Sequence, residues 1–86
     1  MWKRSKLEMY LDVLEVISSG VNKPTNIMYR CNLSWIPLKE ILQSMVGRGL
    51  IREIRMGNKR IYEVTERGLD LLKYFKNVEI MLAVSK

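Results

Sequence analysis

The sequence predicts a mainly α-helical fold with one small β-hairpin, an α+β class with the element order α-α-α-β-β-α. Two observations predict it. In four separate segments, apolar residues recur at intervals of three and four, the spacing of one face of a helix. Between the third and fourth segments, two strand-like runs flank the dipeptide Gly57-Asn58, which suits a tight hairpin. No linker, internal repeat or low-complexity segment interrupts the 86 residues, so we expect a single domain over 1–86.

The first helix is expected from about Lys6 to Ser19. Ser5 and Glu8 have the spacing of a capping box, in which each side chain accepts a hydrogen bond from the other residue's backbone. Gly20 follows as the left-handed stop. The residues expected on the inner face are Leu7, Tyr10, Leu11, Leu14 and Ile17.

The second and third helices are expected to be separated by a short turn. Pro24 is tolerated in the first turn of a helix, so the second helix should span about Pro24 to Cys31, with the turn at Asn32 and Leu33. Ser34 can cap a third helix that runs to about Val46. Its inner face should carry Leu38, Ile41, Leu42 and Met45, and its outer face Ile36, Lys39, Glu40 and Gln43.

Gly47 and Gly49 end the third helix, and "LIREIRM" and "KRIYEV" are the two strands of the hairpin. Thr65 and Glu66 then begin a last helix that runs nearly to the C-terminus. Leu69, Leu72 and Phe75 form one apolar row, which we expect to pack on the first helix.

A second apolar row on the last helix repeats with spacings of three, four and three, as a coiled-coil seam does. Two apolar rows are more than one small domain covers easily, so we expect a homodimer, although packing on the first helix is an alternative. The expected interface residues are Leu71, Tyr74, Val78, Met81 and Leu82, with Trp2 and Tyr10 covering the same surface.

Positive charge is concentrated around the hairpin. The chain has 15 Lys and Arg against 9 Asp and Glu, a formal net charge of +6. From Arg48 to Arg60 there are five cations and only Glu53 to oppose them. This distribution favours a polyanionic partner. The alternative is a solvated hairpin whose cations prevent edge-to-edge aggregation.

Several classes of function are disfavoured by composition. Cys31 is the only cysteine and there is no histidine, so we expect no disulfide, metal site or cofactor, and Cys31 should be a small buried residue. No paired carboxylates, glycine-rich phosphate loop or activated nucleophile indicates an enzyme. No apolar run is long enough for a membrane span and the N-terminus lacks a secretion signal, so we expect a cytoplasmic, nucleoid-associated protein without membrane contact.

The order of helix, short helix, turn, helix and basic hairpin is that of a winged helix-turn-helix. From Asn26 to about Leu82 the chain resembles a family of small archaeal winged helix-turn-helix DNA-binding proteins, in "TNIMYRCNLSW", "LKEILQSMVGRGLI" and "YEVTERGLDLL". The resemblance implies a helix-turn-helix plus wing over 1–64, with the wing at Arg52 to Arg60. It also implies that helix 65–86 pairs with its copy in an antiparallel coiled coil. That helix offers about three turns beyond Leu72, so a short or differently arranged interface is expected.

Double-stranded DNA is therefore the expected partner. The second helix of a helix-turn-helix enters the major groove with its N-terminal residues near base edges. The residues expected there are Ser34, Trp35, Ile36, Lys39 and Gln43. Gln43 suits adenine and Lys39 suits guanine or phosphate, while Glu40 would repel the DNA backbone unless it accepts a hydrogen bond from cytosine. The wing should reach phosphates or the minor groove with Arg55, Asn58, Lys59 and Arg60, supported at its base by Arg48 and Arg52. Phosphate contacts are also expected from Thr25, Tyr29 and Arg30.

The leading interpretation is a dimeric transcription regulator. Two alternatives stay open, because a fold alone does not establish DNA binding. A chromatin-type architectural protein would use the same cations with little base discrimination. A protein-protein interaction module would use the winged helix as a subunit contact.

Overall fold

The computed structural model describes residues 5–84 and has the predicted class and element order. Trp2 lies outside the described residues. The helices and the two-stranded antiparallel sheet are α1 (Lys6–Ser18), α2 (Pro24–Cys31), α3 (Trp35–Gly47), β1 (Ile51–Met56), β2 (Lys59–Val64) and α4 (Glu66–Val84).

The helix ends are set largely by the local signals that the sequence carries. The capping box is confirmed, because the Glu8 N–H donates to Ser5 Oγ and the Ser5 N–H to Glu8 Oε1, each at 3.0 Å. Gly20 ends α1 with a φ of 107°. Gly49, with a φ of 75°, is the left-handed stop after α3, whereas Gly47 is still helical. The Leu50 N–H then donates to the Met45 carbonyl at 3.0 Å, which closes a Schellman motif over two buried side chains.

The core lies between α1, α2, α3 and the base of the hairpin. The four residues predicted on the inner face of α3 are all buried. On α1 the prediction was wrong in two places: Val13 is fully buried, and Leu7 is 54% exposed. Leu7 lies at the rim of an open groove between α1 and α4, and none of the helices and strands in residues 5–84 covers it. The full set of buried residues is Val13, Leu14, Ile17, Ile27, Cys31, Leu38, Ile41, Leu42, Met45, Leu50, Ile51, Tyr62 and Leu72.

The base of the hairpin packs on the core, and the tip of the hairpin is exposed. Ile51 pairs with Val64 at the base and Met56 with Lys59 at the tip. Gly57 alone among the turn residues has a positive φ, 64°, as a turn with glycine at its first central position requires. The Tyr62 N–H donates to the Asn22 carbonyl at 3.0 Å, which fixes β2 beside the loop that precedes α2.

The start of α4 is locked onto the end of α3 through Thr65. The Thr65 N–H donates to the Leu50 carbonyl at 3.1 Å, and its hydroxyl lies 2.6 Å from the Gly49 carbonyl. The same hydroxyl accepts the Gly68 N–H at 3.2 Å, as a helix cap does. Gly68 is buried so close to the backbone of Leu50 that an added Cβ would overlap the Leu50 carbonyl oxygen. Glycine is therefore required here by close approach.

The rest of α4 packs differently from the prediction. Leu69, expected on the inner row, is 40% exposed, whereas Leu71 packs on the core beside the buried Leu72. Residues advance by about 100° along a helix, so Leu69 lies about 160° round α4 from Leu71 and about 60° from Leu72. The core therefore meets the side of α4 that carries Leu71 and Leu72, and Leu69 lies at its edge. When both candidate rows of a helix are apolar, the sequence alone does not show which row meets the core. The large apolar residues of α4 left exposed are Leu69, Tyr74, Ile80, Met81 and Leu82.

Candidate nucleic-acid interface

The outer face of α3 carries every residue that the sequence predicts there. Ser34 occupies the N-cap position, as the sequence predicts, but its side chain makes no cap hydrogen bond. Trp35 begins the helix and is 43% exposed, and Ile36 is 72% exposed. Lys39 and Gln43 extend the same exposed face.

A groove between α3 and the hairpin brings this face together with two wing cations. We call it the recognition groove; its volume is about 380 Å³. Lys39 and Gln43 line it from α3, and Arg55 and Arg60 line it from the hairpin, where they are paired directly across the two strands. Like charges directly opposite one another on a sheet repel. The hairpin therefore carries a local electrostatic cost that an anion in the groove would relieve.

Glu53 partly relieves that cost within the chain itself. Its Oε2 lies 3.6 Å from Arg60 Nη1 and accepts the Tyr62 hydroxyl at 3.1 Å. Burial raises the pKa of Tyr62 above its ordinary 10.0, and the hydrogen bond to Glu53 raises it further, so the phenol stays a donor. The Tyr62 hydroxyl thereby helps to hold the Glu53 carboxylate beside Arg60.

The other wing cations differ in their partners. The sequence predicts Glu53 as the one negative charge that opposes the wing cations. The strand register also places Glu63 opposite Arg52, with 3.9 Å between Arg52 Nη2 and Glu63 Oε1. Strand alternation puts Arg52 on the face of the ribbon opposite Arg55 and Arg60. Among the described residues, Arg55 and Lys59 form no ion pair.

A second opening lies at the wing tip and includes a residue that the sequence interpretation missed. This tip cleft, about 480 Å³ in volume, lies between the start of α2, the start of α3 and the end of the hairpin. It contains the predicted residues Thr25, Asn58 and Lys59, and also Lys23. Lys23 is brought there by the bond between Tyr62 and Asn22, a tertiary contact that leaves no local signal in the sequence.

Six predicted residues line neither opening. Ser34 and Ile36 belong to the start of α3 and Arg52 to β1, and three others lie elsewhere on the surface. Arg48 donates from Nε to the Ser44 hydroxyl at 3.2 Å and lines the groove between α1 and α4 instead. Tyr29 and Arg30 line a separate groove beside the loop between α1 and α2. The structure therefore separates these three from the cluster formed by α3 and the wing.

The predicted dimer residues are unevenly placed on α4. Tyr74, Met81 and Leu82 are exposed and Val78 is half-buried, whereas Leu71 is engaged in the core of its own chain. The α1–α4 groove has a volume of about 800 Å³, and its largely apolar lining includes Leu71 and the half-buried Phe75 but none of these exposed residues. Within the described part of the chain, no helix combines the length and apolarity needed to cross a membrane. The same residues contain no group of three or more potential metal-ligating side chains.

Comparison with known proteins identifies the arrangement. A family model described as winged helix-turn-helix matches residues 3–83. An uncharacterized protein of Methanocaldococcus jannaschii is 33% identical over 70 residues, which cover 81% of this chain and 68% of the relative.

Solved structures of low sequence identity share the fold. Sso10a-2, a DNA-binding protein from Sulfolobus solfataricus, matches 95% of this chain and 86% of its own, with a TM-score of 0.78 and 20% identity. The transcriptional regulator BldR from the same organism matches 87% of this chain and 56% of its own, with a TM-score of 0.76 and 19% identity. Streptococcus pneumoniae FabT, solved in complex with DNA, matches 94% and 62%, with a TM-score of 0.74 and 12% identity.

Proposed function

Because the chain belongs to a winged helix-turn-helix family, we propose that it binds double-stranded DNA as a dimeric transcription regulator. The observation that carries the proposal is the recognition groove, in which the outer face of α3 and the wing cations Arg55 and Arg60 share one surface. The fold presents a helix for the major groove and a basic ribbon for the flanking backbone.

The wing supplies the electrostatic part of binding. Arg55 and Lys59 have no carboxylate partner among the described residues, so a phosphate can approach them without breaking an ion pair. Each phosphate that they neutralise releases condensed counterions, which makes binding strongly dependent on salt. Repulsion between Arg55 and Arg60 in the free protein is relieved when a phosphate lies between them.

The outer face of α3 supplies the base contacts. Gln43 can form a bidentate pair with adenine, Lys39 can donate to guanine, and Ile36 can contact a thymine methyl group. Only two of these three side chains form hydrogen bonds, which limits discrimination between sequences. This small polar set favours the second candidate, a chromatin-type architectural protein with the same cations and weak base selection.

The comparisons support DNA binding without separating the two candidates. Sso10a-2 is described as a DNA-binding protein, and BldR as a transcriptional regulator. Selection of tight binders from a random duplex pool separates them: a recovered consensus supports the regulator, and a pool that stays random supports the architectural protein.

We further propose that α4 forms the dimer contact. Tyr74, Val78 and Met81 follow one another at intervals of four and three, the repeat of a coiled-coil seam, and two of the three are well exposed. A second copy of the helix would cover the exposed apolar side chains of Tyr74 and Met81.

The test is a fluorescence anisotropy titration with a labelled duplex of about 25 base pairs at several salt concentrations. Replacing Arg55, Lys59 and Arg60 with Ala should weaken binding and reduce the slope of log affinity on log salt by up to about 0.9 per lost phosphate contact. The matched control replaces three exposed cations outside α3 and the wing, Lys6, Lys73 and Lys76, and should keep most of the affinity. Equal losses in the two triple variants would contradict the proposed surface. No binding by the wild type at low salt would favour the protein-interaction module.

A further inference from the structure

The tip cleft differs in charge from the recognition groove. Lys23, Lys39, Lys59 and Arg60 line it from α2, α3 and the hairpin, and its lining contains no carboxylate, whereas Glu53 lies in the recognition groove. Cations on several sides of one concave site raise the local potential for an anion. The tip cleft is therefore the more favourable of the two openings for a phosphate group.

The cleft also has an aromatic wall. Trp35 is 43% exposed at the start of α3, and it lines the tip cleft together with the apolar side chains of Pro24 and Ile61. A volume of about 480 Å³ falls within the range of sites that enclose small organic molecules. The cleft thus joins an accessible indole, apolar walls and four cations in a space large enough for a nucleobase.

An aromatic ring beside a cationic track is the combination with which proteins hold unpaired nucleic acid strands. A base within an intact duplex has both of its faces covered by its neighbours, so it can only present an edge to Trp35. We propose that the tip cleft binds one unpaired base of a DNA strand, stacked on Trp35, with its phosphate held by Lys59 and Arg60. This inference rests on the proposed function, and it adds a preference for DNA that contains an unpaired nucleotide.

Energetics determine which DNA fills the cleft. Extruding a paired base from a duplex sacrifices its stacking and pairing, and a bulged or mismatched base has lost part of these already. A perfect duplex therefore binds with the cleft empty of any base. Stacking on an aromatic side chain raises affinity by about 5- to 150-fold, which corresponds to about 1–3 kcal/mol for each base. A duplex with one bulged thymine should bind more tightly than the perfect duplex by a factor in that range.

The experiment compares two labelled DNAs by anisotropy at one salt concentration: a perfect duplex of about 25 base pairs, and the same duplex with one central unpaired thymine. The wild type should prefer the bulged DNA by at least about 5-fold. Trp35→Ala should remove that preference, and Trp35→Phe should keep part of it because phenylalanine still offers a ring. The matched control is Lys73→Ala, an exposed lysine of α4 that lines neither opening, which should keep the full preference. In a Trp2→Phe background Trp35 is the only tryptophan, and its fluorescence should be quenched more by the bulged DNA.

The outcomes separate this inference from the proposed function. Equal affinity of the wild type for the two DNAs overturns the inference and leaves duplex binding intact. A preference that survives in Trp35→Ala also overturns it, because the cause would then be the greater flexibility of bulged DNA. Failure to bind either DNA overturns the proposed function and this inference together. Circular dichroism of each variant verifies that a lost preference does not come from unfolding.

Discussion

Replacing Gly68 with Ala should destabilise the fold, although alanine is normally the better helix former. The new methyl group would overlap the Leu50 carbonyl oxygen and lie 2.8 Å from Val64 Cγ2. The carbonyl belongs to the backbone and cannot rotate away, so the start of α4 must move. That movement strains the bonds by which Thr65 holds Leu50, 3.1 Å from its N–H and 3.0 Å from its hydroxyl.

The magnitude follows from these contacts. Overpacking a tight site costs about 1–3 kcal/mol, and a lost hydrogen bond costs about 0.5–1.5 kcal/mol. The higher helix propensity of alanine returns up to about 1 kcal/mol. We therefore expect the free energy of unfolding to fall by about 2 kcal/mol, and the melting temperature to fall by about 8–16 °C for a domain of this size.

Gly47→Ala is the matched control, because nothing lies within 4 Å of a Cβ added at this helical glycine. It should leave stability unchanged or raise it by up to about 1 kcal/mol. Urea unfolding followed by circular dichroism measures both variants at one protein concentration, because the proposed dimerisation would make stability depend on concentration. A Gly68→Ala variant as stable as the wild type would refute the argument from close approach.

Three further perturbations test the wing and α4. Glu53→Gln keeps an acceptor for the Tyr62 hydroxyl but removes a negative charge from the recognition groove. The affinity for duplex DNA at low salt should rise, and the slope of log affinity on log salt should become steeper by up to about 0.9. A weaker complex would contradict this expectation. The fold raises the pKa of Tyr62 above 10.0, so the stability that the protonated phenol contributes is complete below that pH and is lost as pH rises through the folded pKa. Denaturant titrations should therefore show a smaller loss of stability at alkaline pH in Tyr62→Phe than in the wild type. Identical pH profiles of the two proteins would argue against this role of Tyr62. Tyr74→Asp combined with Met81→Asp should give a monomer in sedimentation velocity. Ile80→Asp, about 100° round the helix from Met81, should affect association less. A wild type already monomeric at about 50 μM would refute the dimer.

Local signals in the sequence were sufficient for the element order and most element ends. Ser5 with Glu8, and the glycines after α1 and α3, act through their own backbone neighbours, so they can be recognised without a tertiary model. Gly68 could not be recognised in this way, because its role depends on the Leu50 carbonyl of another segment. The exchange of Leu69 and Leu71 had a related cause, since an apolar helix does not reveal which of two apolar faces meets the core.

The candidate site was partly predictable for the same reason. The exposed face of α3 follows from helical periodicity, and the pairing of Arg52 with Glu63 follows once Gly57-Asn58 fixes the register. Lys23 was missed because a bond between distant segments carries it to the wing. Arg48 was expected at the wing base, but the turn that ends α3 directs it toward the α1–α4 groove.

The central claim is that α3 and the wing form the surface that meets duplex DNA, and a ¹⁵N-NMR titration of the 86-residue chain with a short duplex tests it most directly. Changes in backbone amide shifts should concentrate in residues 34–43 and 52–60 and become smaller as salt is added, while the exposed end of α4 should change little. Shifts confined to α1 and α4, or no shifts at low salt, would contradict it.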